Sequence, residues 1–406
     1  MTLTFATTVV GVLLFAQGAA LVVLLRRLMP GRRREPPVSP LDDSATDKIG
    51  LGAVSVIVAT LNEAARIGPC LEGLHAQGGT LLEVLVVDSN STDGTRELVQ
   101  RMMQRDTRFQ LVSDGVLPSG WIGKVWALET GLQRARGEWV LGIDADTVPQ
   151  PGMVKGILRA MQQLTFDAAS FGPRFIGQSA AERWVQPAML TTLIYRCGAN
   201  GPGPANPERV LANGQCFMAR KSVLLANGGY GVARASFSDD VTLARHLATR
   251  GARVGFLDGS RIISVRAYRS AREMWREWGR SFDLKDGTTQ WRRWSDVVFV
   301  WFTMALPVPV LLTIIALQLN ASPEMFGASA TASIGITALA AINALMLGMR
   351  IFLVWAIRGS YGEHGWTFWL SWLADIPAAI RLTMSTAKRP RAWRGRMYRE
   401  QKPLQT

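Results

Sequence analysis

Cysteine is scarce in this chain of 406 residues, which contains only Cys70, Cys197 and Cys216 and no Cys-x-x-Cys pair. This pattern excludes a disulfide framework and a cysteine zinc site, and it favours a reducing, cytosol-facing compartment.

Charge is absent from residues 1–25, but no basic segment precedes this apolar run and no small-residue cleavage site ends it. These features argue against the alternative of a cleaved signal peptide, and the arginines within 26–34 predict an anchor followed by a cytosolic domain.

Two further uncharged runs, 297–319 and 325–349, are long enough to cross about 30 Å of hydrocarbon. The segment 366–384 is shorter and carries Asp375 and Arg381, so a helix lying in the membrane interface is expected there. The pattern predicts a multi-pass protein of the cytoplasmic membrane. Its amino terminus is expected outside, and its central domain and basic tail in the cytosol.

The formal net charge is +14, a balance that is also found in proteins that bind nucleic acid. Here the basic clusters at 26–34, 292–293 and 388–399 flank apolar runs, where they would meet anionic lipid headgroups. The sequence therefore predicts a membrane as the partner and no nucleic acid.

Between the anchor and the second apolar run, four apolar strands at 53–59, 82–88, 109–112 and 138–144 alternate with segments of helical period. Strands that are apolar on both faces and alternate with helices indicate a parallel sheet covered on both sides. The predicted fold class is thus α/β, with a Rossmann-like domain between membrane segments. In such sheets a ligand binds beyond the carboxyl ends of the strands.

Polar residues follow these strands at the predicted edge. Asn62 and Glu63 follow the first strand, Asp88 ends the second, and Asp144 and Asp146 end the fourth. Each has an ordinary alternative, since Glu63 could complement a helix dipole and an Asp-x-Asp is common in turns. Together, four carboxylates from three strands predict one site.

The Asp-x-Asp pair suits a hard divalent cation, because Mg²⁺ and Mn²⁺ take carboxylate oxygens and complete their shell with water and substrate phosphates. Lys124, in a loop rich in Gly and Trp, would add positive charge beside the same ligand, although a solvated surface lysine is the alternative. Asp93 is as readily a helix cap as a ligand contact.

Over about residues 51–300 these motifs resemble the family 2 glycosyltransferases, which have the GT-A nucleotide-sugar-binding fold. The resemblance implies that Asn62, Glu63 and Asp88 contact the donor nucleotide, with Lys124 nearby. It implies that Asp144 and Asp146 bind the metal, Mg²⁺ or Mn²⁺, and the sugar diphosphate. Thr60 stands where the family often has proline, a departure that leaves the chemistry unaffected.

The family also carries an acidic pair before a helix, and "SFSDDVTLARHL" at 236–247 is similar to it. The resemblance implies that Asp240 is the base, with Asp239 where Glu is usual, although the pair could simply cap the helix. Arg245 is expected to face solvent. A single base implies inversion at the anomeric carbon.

The acceptor side is expected at Gly214 and Gln215, within "ANGQCFMARK", which resembles a strand of the family beside the acceptor pocket. Two segments could replace the family's Gln-x-x-Arg-Trp motif, 273–281 and 290–294. The first, with Trp278 and Arg280, is favoured, and the tryptophans of the second are then interface anchors. The apolar segment 181–196 is a candidate acceptor surface or a core helix.

Predicted domain boundaries follow from these assignments. They are an anchor at 1–26, a linker at 27–50, a GT-A domain at 51–290, a transmembrane helix pair at 291–360, and an interfacial helix with a basic tail at 361–406.

The predicted function is metal-dependent transfer of a sugar from a nucleotide-sugar to a hydroxyl group of a membrane lipid. Among lipid-modifying members, the motifs most resemble those of the bacterial carotenoid 2′-O-glycosyltransferases. Hopanoid, ceramide and glycerolipid acceptors are alternatives within this class. A processive polysaccharide synthase and a non-catalytic nucleotide-sugar sensor are the other hypotheses, although three spans are few for a polysaccharide channel and a sensor would not need every carboxylate.

Overall fold

A computed structural model describes residues 2–42, 53–198, 201–202, 206–266, 268, 270–282, 284–320, 330–388, 392–393 and 396–397. The helices within these ranges are α1 Thr2–Leu28, α2 Ile67–His75, α3 Thr95–Arg105, α4 Gly123–Arg134, α5 Met153–Gln163, α6 Ala180–Cys197, α7 Lys221–Ala226, α8 Asp239–Thr249, α9 Ala271–Ser281, α10 Gln290–Val300, α11 Pro307–Asn320, α12 Ala330–Ile357, α13 Gly365–Trp369 and α14 Asp375–Ala387.

The strands in the same ranges are β1 Val54–Thr60, β2 Leu81–Asp88, β3 Phe109–Ser113, β4 Trp139–Asp144, β5 Thr147–Pro149, β6 Ala168–Gly172, β7 Arg174–Phe175, β8 Gly201–Pro202, β9 Cys216–Arg220, β10 Val254–Asp258, β11 Ile263–Val265, β12 Ala392–Trp393 and β13 Arg396–Met397. Short 3₁₀ turns, among them Pro207–Arg209, connect some of these elements.

The main sheet within the described residues has the order β3-β2-β1-β4-β9-β6-β10-β8. β3, β2, β1 and β4 are mutually parallel, whereas β9 runs antiparallel between β4 and β6. Alternate residues of β1 enter opposite cores: Val56 packs with α2 and α5 on one face, and Ile57 with α4 on the other. The predicted α/β fold class is confirmed.

Register brings the strand-end carboxylates together. Thr60 at the end of β1 pairs with Asp88 of β2, and its neighbour Ala59 pairs with Asp144 of β4. The carboxyl ends of parallel strands lie at one edge of a sheet, so the loops after β1, β2 and β4 meet there.

Two described helices are long and apolar enough to span a membrane, over Thr7–Arg32 and Ser333–Ser360. A third candidate is the pair Gln290–Ala305 and Pro307–Asn320, which is bent by 45°. The bend follows a π-helical turn and begins at Pro307, which has no N–H to donate and clashes with the preceding turn. The predicted loop at 320–326 and the tail beyond 397 fall mostly outside the described residues.

A reciprocal amide pair joins α1 to α12. Nε2 of Gln17 donates to Oδ1 of Asn343 at 2.8 Å, and Nδ2 of Asn343 donates to Oε1 of Gln17 at 2.7 Å. Both side chains are fully buried. Amide pairs of this kind stabilise helix contacts where water is absent.

The apolar run that was predicted to end at Met349 continues as helix to Ile357. The prediction stopped at Arg350 because a charge normally ends a span, but here the guanidinium is buried against α14. Its Nε lies 3.0 Å from each carboxylate oxygen of Asp375, and Nη2 lies 2.9 Å from Oδ1. This bidentate pair ties the candidate span to the segment after it.

The predicted linker 27–50 is ordered in its described part, contrary to its composition. The N–H of Val38 donates to the carbonyl of Asp258 at 2.8 Å, and that of Leu41 to Gly152 at 3.0 Å. Gly152 has φ +76°, and a Cβ there would lie 2.6 Å from the Leu41 carbonyl oxygen. Glycine is therefore needed for the close approach of the two chains.

We expect Asp375→Ala to lower the free energy of unfolding by about 3–5 kcal/mol, because the buried guanidinium of Arg350 loses its only carboxylate partner in the described structure. Denaturant unfolding in detergent micelles measures the loss. The double variant Arg350→Met/Asp375→Leu removes both charges and should recover most of it. Glu72→Ala, which breaks an exposed pair with Arg105, is the control and should cost at most about 1 kcal/mol. A double variant as unstable as the single one would contradict the assignment.

Candidate active site

A cavity of about 870 Å³ lies at the carboxyl edge of the parallel strands. Ten of the twelve side chains or backbone positions predicted for the site line it. They are Glu63, Lys124, Asp144, Asp146, Gly214, Gln215, Asp239, Asp240, Trp278 and Arg280.

The two other predicted residues, Asn62 and Asp88, do not line this cavity. Asp88 is buried and accepts hydrogen bonds from the N–H of Ser91 at 3.1 Å and the hydroxyl of Thr60 at 3.4 Å. Oδ1 of Asn62 accepts from the N–H of Thr92 at 2.9 Å. Both residues therefore order the loops after β1 and β2, and nucleotide contact by them stays a prediction.

Asp93 also acts locally. Its Oδ1 accepts from the N–H of Thr95 at 3.1 Å and its Oδ2 from the N–H of Ala64 at 2.9 Å, so it joins the start of α3 to the loop after β1. The N-cap position of α3 is Gly94 rather than Asp93, so Asp93 bonds to the first turn from just outside the helix, and ligand contact by it stays a prediction.

Lys124 is the central cation of the cavity. Its Nζ lies 2.6 Å from Oδ1 of Asp144, and its side chain is only 16% exposed. Burial alone would lower the pKa of the ammonium group, but attraction to Asp144, Asp239 and Asp240 outweighs this and raises it. The surface-lysine alternative is thus wrong for this position.

The acidic pair opens α8 beside this lysine. Burial raises the pKa of Asp240 to about 7, and repulsion from Asp239 adds to the shift, while Lys124 opposes it. Oδ2 of Asp240 accepts from the N–H of Gly214 at 2.6 Å. A Cβ on Gly214 would lie 3.1 Å from Nζ of Lys124, so a larger residue would crowd the lysine and make it shift.

A second carboxylate group lies beside Asp144. Burial raises the pKa of Asp146 to about 7, and the neighbouring Asp144 and Glu63 raise it further. Burial likewise raises the pKa of Glu63 to about 7. Arg66 opposes both shifts, with Nε 3.2 Å from Glu63 and Nη1 3.8 Å from Asp146.

These carboxylates fit a divalent cation that takes most of its ligands from water and substrate. No group of three or more His, Cys, Asp or Glu side chains in the described residues has metal-binding geometry, so a complete protein cage is absent there. Mg²⁺ commonly binds through one or two carboxylates plus phosphate oxygens. A cation at Asp144 and Asp146 would relieve the mutual repulsion that raises the pKa of Asp146.

The two segments that could replace the Gln-x-x-Arg-Trp motif differ in their position relative to the cavity. Trp278 and Arg280 of α9 line the cavity, and the hydroxyl of Ser238, just before the acidic pair, donates to the carbonyl of Arg280 at 3.4 Å. In contrast, none of the described residues 290–294 lines it, and Trp291 is 82% exposed. The placement agrees with the preference for 273–281, whose role remains a prediction.

The side chain of Arg245 does not face solvent as predicted. It is buried, and it donates to the carbonyl oxygens of Val210 at 3.0 Å and Gly287 at 2.9 Å. The expectation was wrong because a charged residue was assigned to the exposed face of α8, whereas neighbouring loops supply buried acceptors there.

Comparison with known proteins gives the family of the central region. Residues 55–225 match the model described as glycosyl transferase family 2. The matched region, which is less than half of the chain, is therefore similar to a family 2 glycosyltransferase domain. The beta-monoglucosyldiacylglycerol synthase of Synechocystis sp. is 29% identical over 243 residues, which are 58% of this chain and 48% of that protein. An N-acetylglucosaminyltransferase of Mesorhizobium japonicum is 29% identical over 43% of this chain and 41% of its own length. The chain thus spans less than half of either relative.

A solved structure shares the fold. A mannosyltransferase from Pyrobaculum calidifontis, in complex with GDP-Man and Mn²⁺, superimposes with a TM-score of 0.51. The match covers 94% of this chain and 99% of that chain at 19% identity.

Arg66 and Tyr268 are two cavity residues that were not predicted from the sequence. Arg66 contacts both Glu63 and Asp146, and its only sequence signal is its position three residues after Glu63. Tyr268 lines the cavity from the loop between β11 and α9, where no periodicity marks it.

We expect Lys124→Met to destabilise the folded protein far more at pH 8 than at pH 5.5. At pH 8 Asp146 and Asp240, whose pKa values are raised to about 7, are mostly ionised and lose their counter-charge, whereas at pH 5.5 both are mostly protonated and need none. The loss at pH 8 should be about 3 kcal/mol. Thermal unfolding at both pH values measures it.

Lys221→Met is the matched control, because Nζ of Lys221 donates to the backbone carbonyl of Ala135 rather than to a carboxylate. Its effect should be the same at both pH values. An equally pH-independent loss for Lys124→Met would mean that packing, not charge, accounts for its contribution.

Proposed function

We propose that the protein is an inverting glycosyltransferase that moves a sugar from a nucleoside diphosphate sugar to a hydroxyl group of a membrane lipid. One observation carries the proposal. The cavity joins strand-end carboxylates, a half-buried acidic pair and an apolar wall that reaches a candidate membrane span.

The strand-end residues account for donor binding. Asp144 and Asp146 would hold Mg²⁺ or Mn²⁺, which when bound would neutralise the departing diphosphate, and Glu63 would contact the donor nucleotide. Lys124 adds a fixed positive charge to the same wall of the cavity. Asn62 and Asp88 order the loops on which a nucleotide would rest.

Asp240 is proposed as the general base that takes the proton of the acceptor hydroxyl. Its raised pKa, about 7, makes it a stronger base than a surface aspartate while leaving a large ionised fraction at neutral pH. The N–H groups of Gly214 and Val241 donate to its two carboxylate oxygens and hold it in one orientation. One base and one displacement imply inversion.

The lipid acceptor is supported by the other end of the cavity. Two helices form an apolar wall there, α6 through Leu190, Leu193 and Ile194, and the last turns of α12 through Leu353 and Ile357. Because α12 is itself a candidate span, an acceptor held by its apolar body would approach from the bilayer. We propose that the domain faces the cytosol, as the arginines after α1 predict.

The alternatives need features of different kinds. A processive synthase needs a translocation channel, and the described residues contain two candidate spans, or three if the bent pair is one. A sensor needs no base, yet Asp240 and both Asp-x-Asp carboxylates line the cavity. The length of the product distinguishes a processive synthase from the proposed enzyme, and turnover of the donor distinguishes the proposed enzyme from a sensor.

We expect Asp146→Ala and Asp240→Asn each to reduce sugar transfer by at least about 100-fold, since each removes a group that acts on the reacting atoms. The variants should differ in donor binding. Calorimetric titration with nucleotide-sugar and Mn²⁺ should detect weakened binding for Asp146→Ala and normal binding for Asp240→Asn.

Asp239→Asn is the control for the base, because Asp239 lies in the same turn and also lines the cavity. It should retain more activity than Asp240→Asn. Near-normal turnover by Asp240→Asn would assign the base to another group.

For the acceptor, we propose a carotenoid hydroxyl, secondary or tertiary, receiving a hexose or deoxyhexose. The resemblance of the "GWIGKVWAL", "SFSDDVTLARHL" and "EMWREWGRSFDLKD" motifs to the carotenoid enzymes supports it. A diacylglycerol is the second candidate, because the Synechocystis relative is named as a synthase of monoglucosyldiacylglycerol. Hopanoid and ceramide acceptors share the same chemistry.

We expect glycosylated carotenoids to disappear from cells that lack the protein and to return on complementation with the wild type. Complementation with Asp240→Asn should not restore them, because the fold remains while the base is lost. Mass spectrometry of extracted pigments and lipids makes the comparison. Unchanged carotenoid glycosides beside a lost glycolipid would reassign the acceptor within the lipid class.

A further inference from the structure

Four arginines surround a single aspartate where α1, α6 and α10 meet, away from the cavity of the candidate active site, which we call the sugar-transfer cavity. Arg27 belongs to the last turn of α1, Arg196 to the last turn of α6, and Arg209 to the 3₁₀ turn that follows. Arg245 approaches from α8, and Asp296 from α10. We call these five residues the arginine cluster.

Asp296 is shared among three of the guanidinium groups. Its Oδ1 lies 3.0 Å from Nη1 of Arg209 and 3.4 Å from Nη1 of Arg27, and its Oδ2 lies 3.8 Å from Nε of Arg196. In the part of the chain that the structure describes, Arg245 donates to neutral acceptors, among them the hydroxyl of Thr288 at 2.5 Å. Four positive charges thus face one negative charge.

This imbalance is buried. The side chain of Arg196 is 2% exposed and that of Asp296 is 7% exposed, and Nη1 of Arg196 has no hydrogen-bond partner in the described structure. Burial lowers the pKa of Arg245, and repulsion from Arg196 and Arg209 contributes to the shift. Buried charges are costly unless they are paired.

Within the described residues, the chain offers no further anion at this position. The nearby acid Glu208 pairs with Arg292 instead, and residues 197–206 contain neither Asp nor Glu. An anion from outside the chain would balance the charge. Guanidinium groups bind phosphate through parallel N–H···O bonds, so phosphate is the anion that this geometry favours.

We propose that the arginine cluster binds the phosphate group of an anionic phospholipid. Arg27 lies near the end of the candidate span Thr7–Arg32, and Asp296 lies in the first half of the bent pair, Gln290–Ala305. The ends of apolar spans are where lipid headgroups lie, and basic residues there attract anionic lipids. Free phosphate shares this chemistry and is the other possible source.

The bound headgroup would also support the sugar-transfer cavity. Arg209 donates to the backbone of Arg196, and Arg245 holds the carbonyl of Val210. The loop then continues to Gly214, whose N–H donates to Asp240. A phospholipid in the cluster therefore fixes one end of the loop that orients the proposed base.

The test is thermal unfolding of the full chain in detergent with four added probes. They are short-chain phosphatidylglycerol, phosphatidylcholine and diacylglycerol of the same acyl chains, and inorganic phosphate. Phosphatidylglycerol should raise Tm by at least about 3 °C, because it binds the folded state alone. Diacylglycerol, without phosphate, and phosphatidylcholine, with its compensating cation, should raise it less.

The response to inorganic phosphate distinguishes the sources. No response supports a lipid headgroup, and a response that Arg209→Gln abolishes supports a phosphate site that either source fills. Equal responses to diacylglycerol and phosphatidylglycerol, or none to any probe, would overturn the proposal.

Arg27→Gln and Arg209→Gln should each weaken phosphatidylglycerol binding about tenfold or more, the effect of one charge-assisted hydrogen bond. Arg105→Gln is the matched control, since it removes the same charge from an exposed pair with Glu72 and should leave binding unchanged. A purely structural role would lower Tm without lipid. If the arginines form a lipid site, each substitution relieves repulsion in the cluster, so the Tm of the lipid-free variant should equal that of the wild type. A variant whose lipid-free Tm falls while its response to phosphatidylglycerol stays complete would contradict the site.

Discussion

The ammonium group of Lys124 is the charge on which the cavity depends. It lies between the end of β4 and the start of α8, so one cation offsets Asp144, Asp239 and Asp240. Without it, acidic groups from separate elements would repel each other at short range in a poorly solvated space. The lysine thereby allows the strand-end acids and the acidic pair to share one cavity before any substrate enters.

Much of this arrangement could be predicted from the sequence, because each carboxylate directly follows an apolar strand or opens a helix. Asp144, for example, ends a run of buried residues, and parallel topology then fixes its edge of the sheet. The predictions that were wrong concerned the surroundings of two arginine side chains. Arg245 and Arg350 appeared to mark an exposed face and the end of a span, since the acceptors of Arg245 lie 35 to 43 positions away in the chain and that of Arg350 lies 25 positions away.

Arg66 was missed for the same reason, since Asp146, its second partner, lies in another loop. Asn62 and Asp88 illustrate a different limit. A polar residue at a strand end can face a ligand or hold a loop, and spacing does not distinguish the two. Here Asp88 is enclosed by its own loop and by Thr60, which only the fold could reveal.

The short stretch between α1 and the sheet changes how an enzyme of the proposed kind would meet its acceptor. Val38 and Leu41 are hydrogen-bonded to the domain, and Gly152 allows the chain to lie against it. A domain on a loose tether would tumble above the bilayer and meet a lipid in the right orientation only rarely. A connection that is hydrogen-bonded to the domain restricts this tumbling. Much of the orientational entropy that binding of the lipid acceptor would cost is therefore lost once, during folding, rather than at every encounter. The search for an acceptor then becomes lateral diffusion in two dimensions.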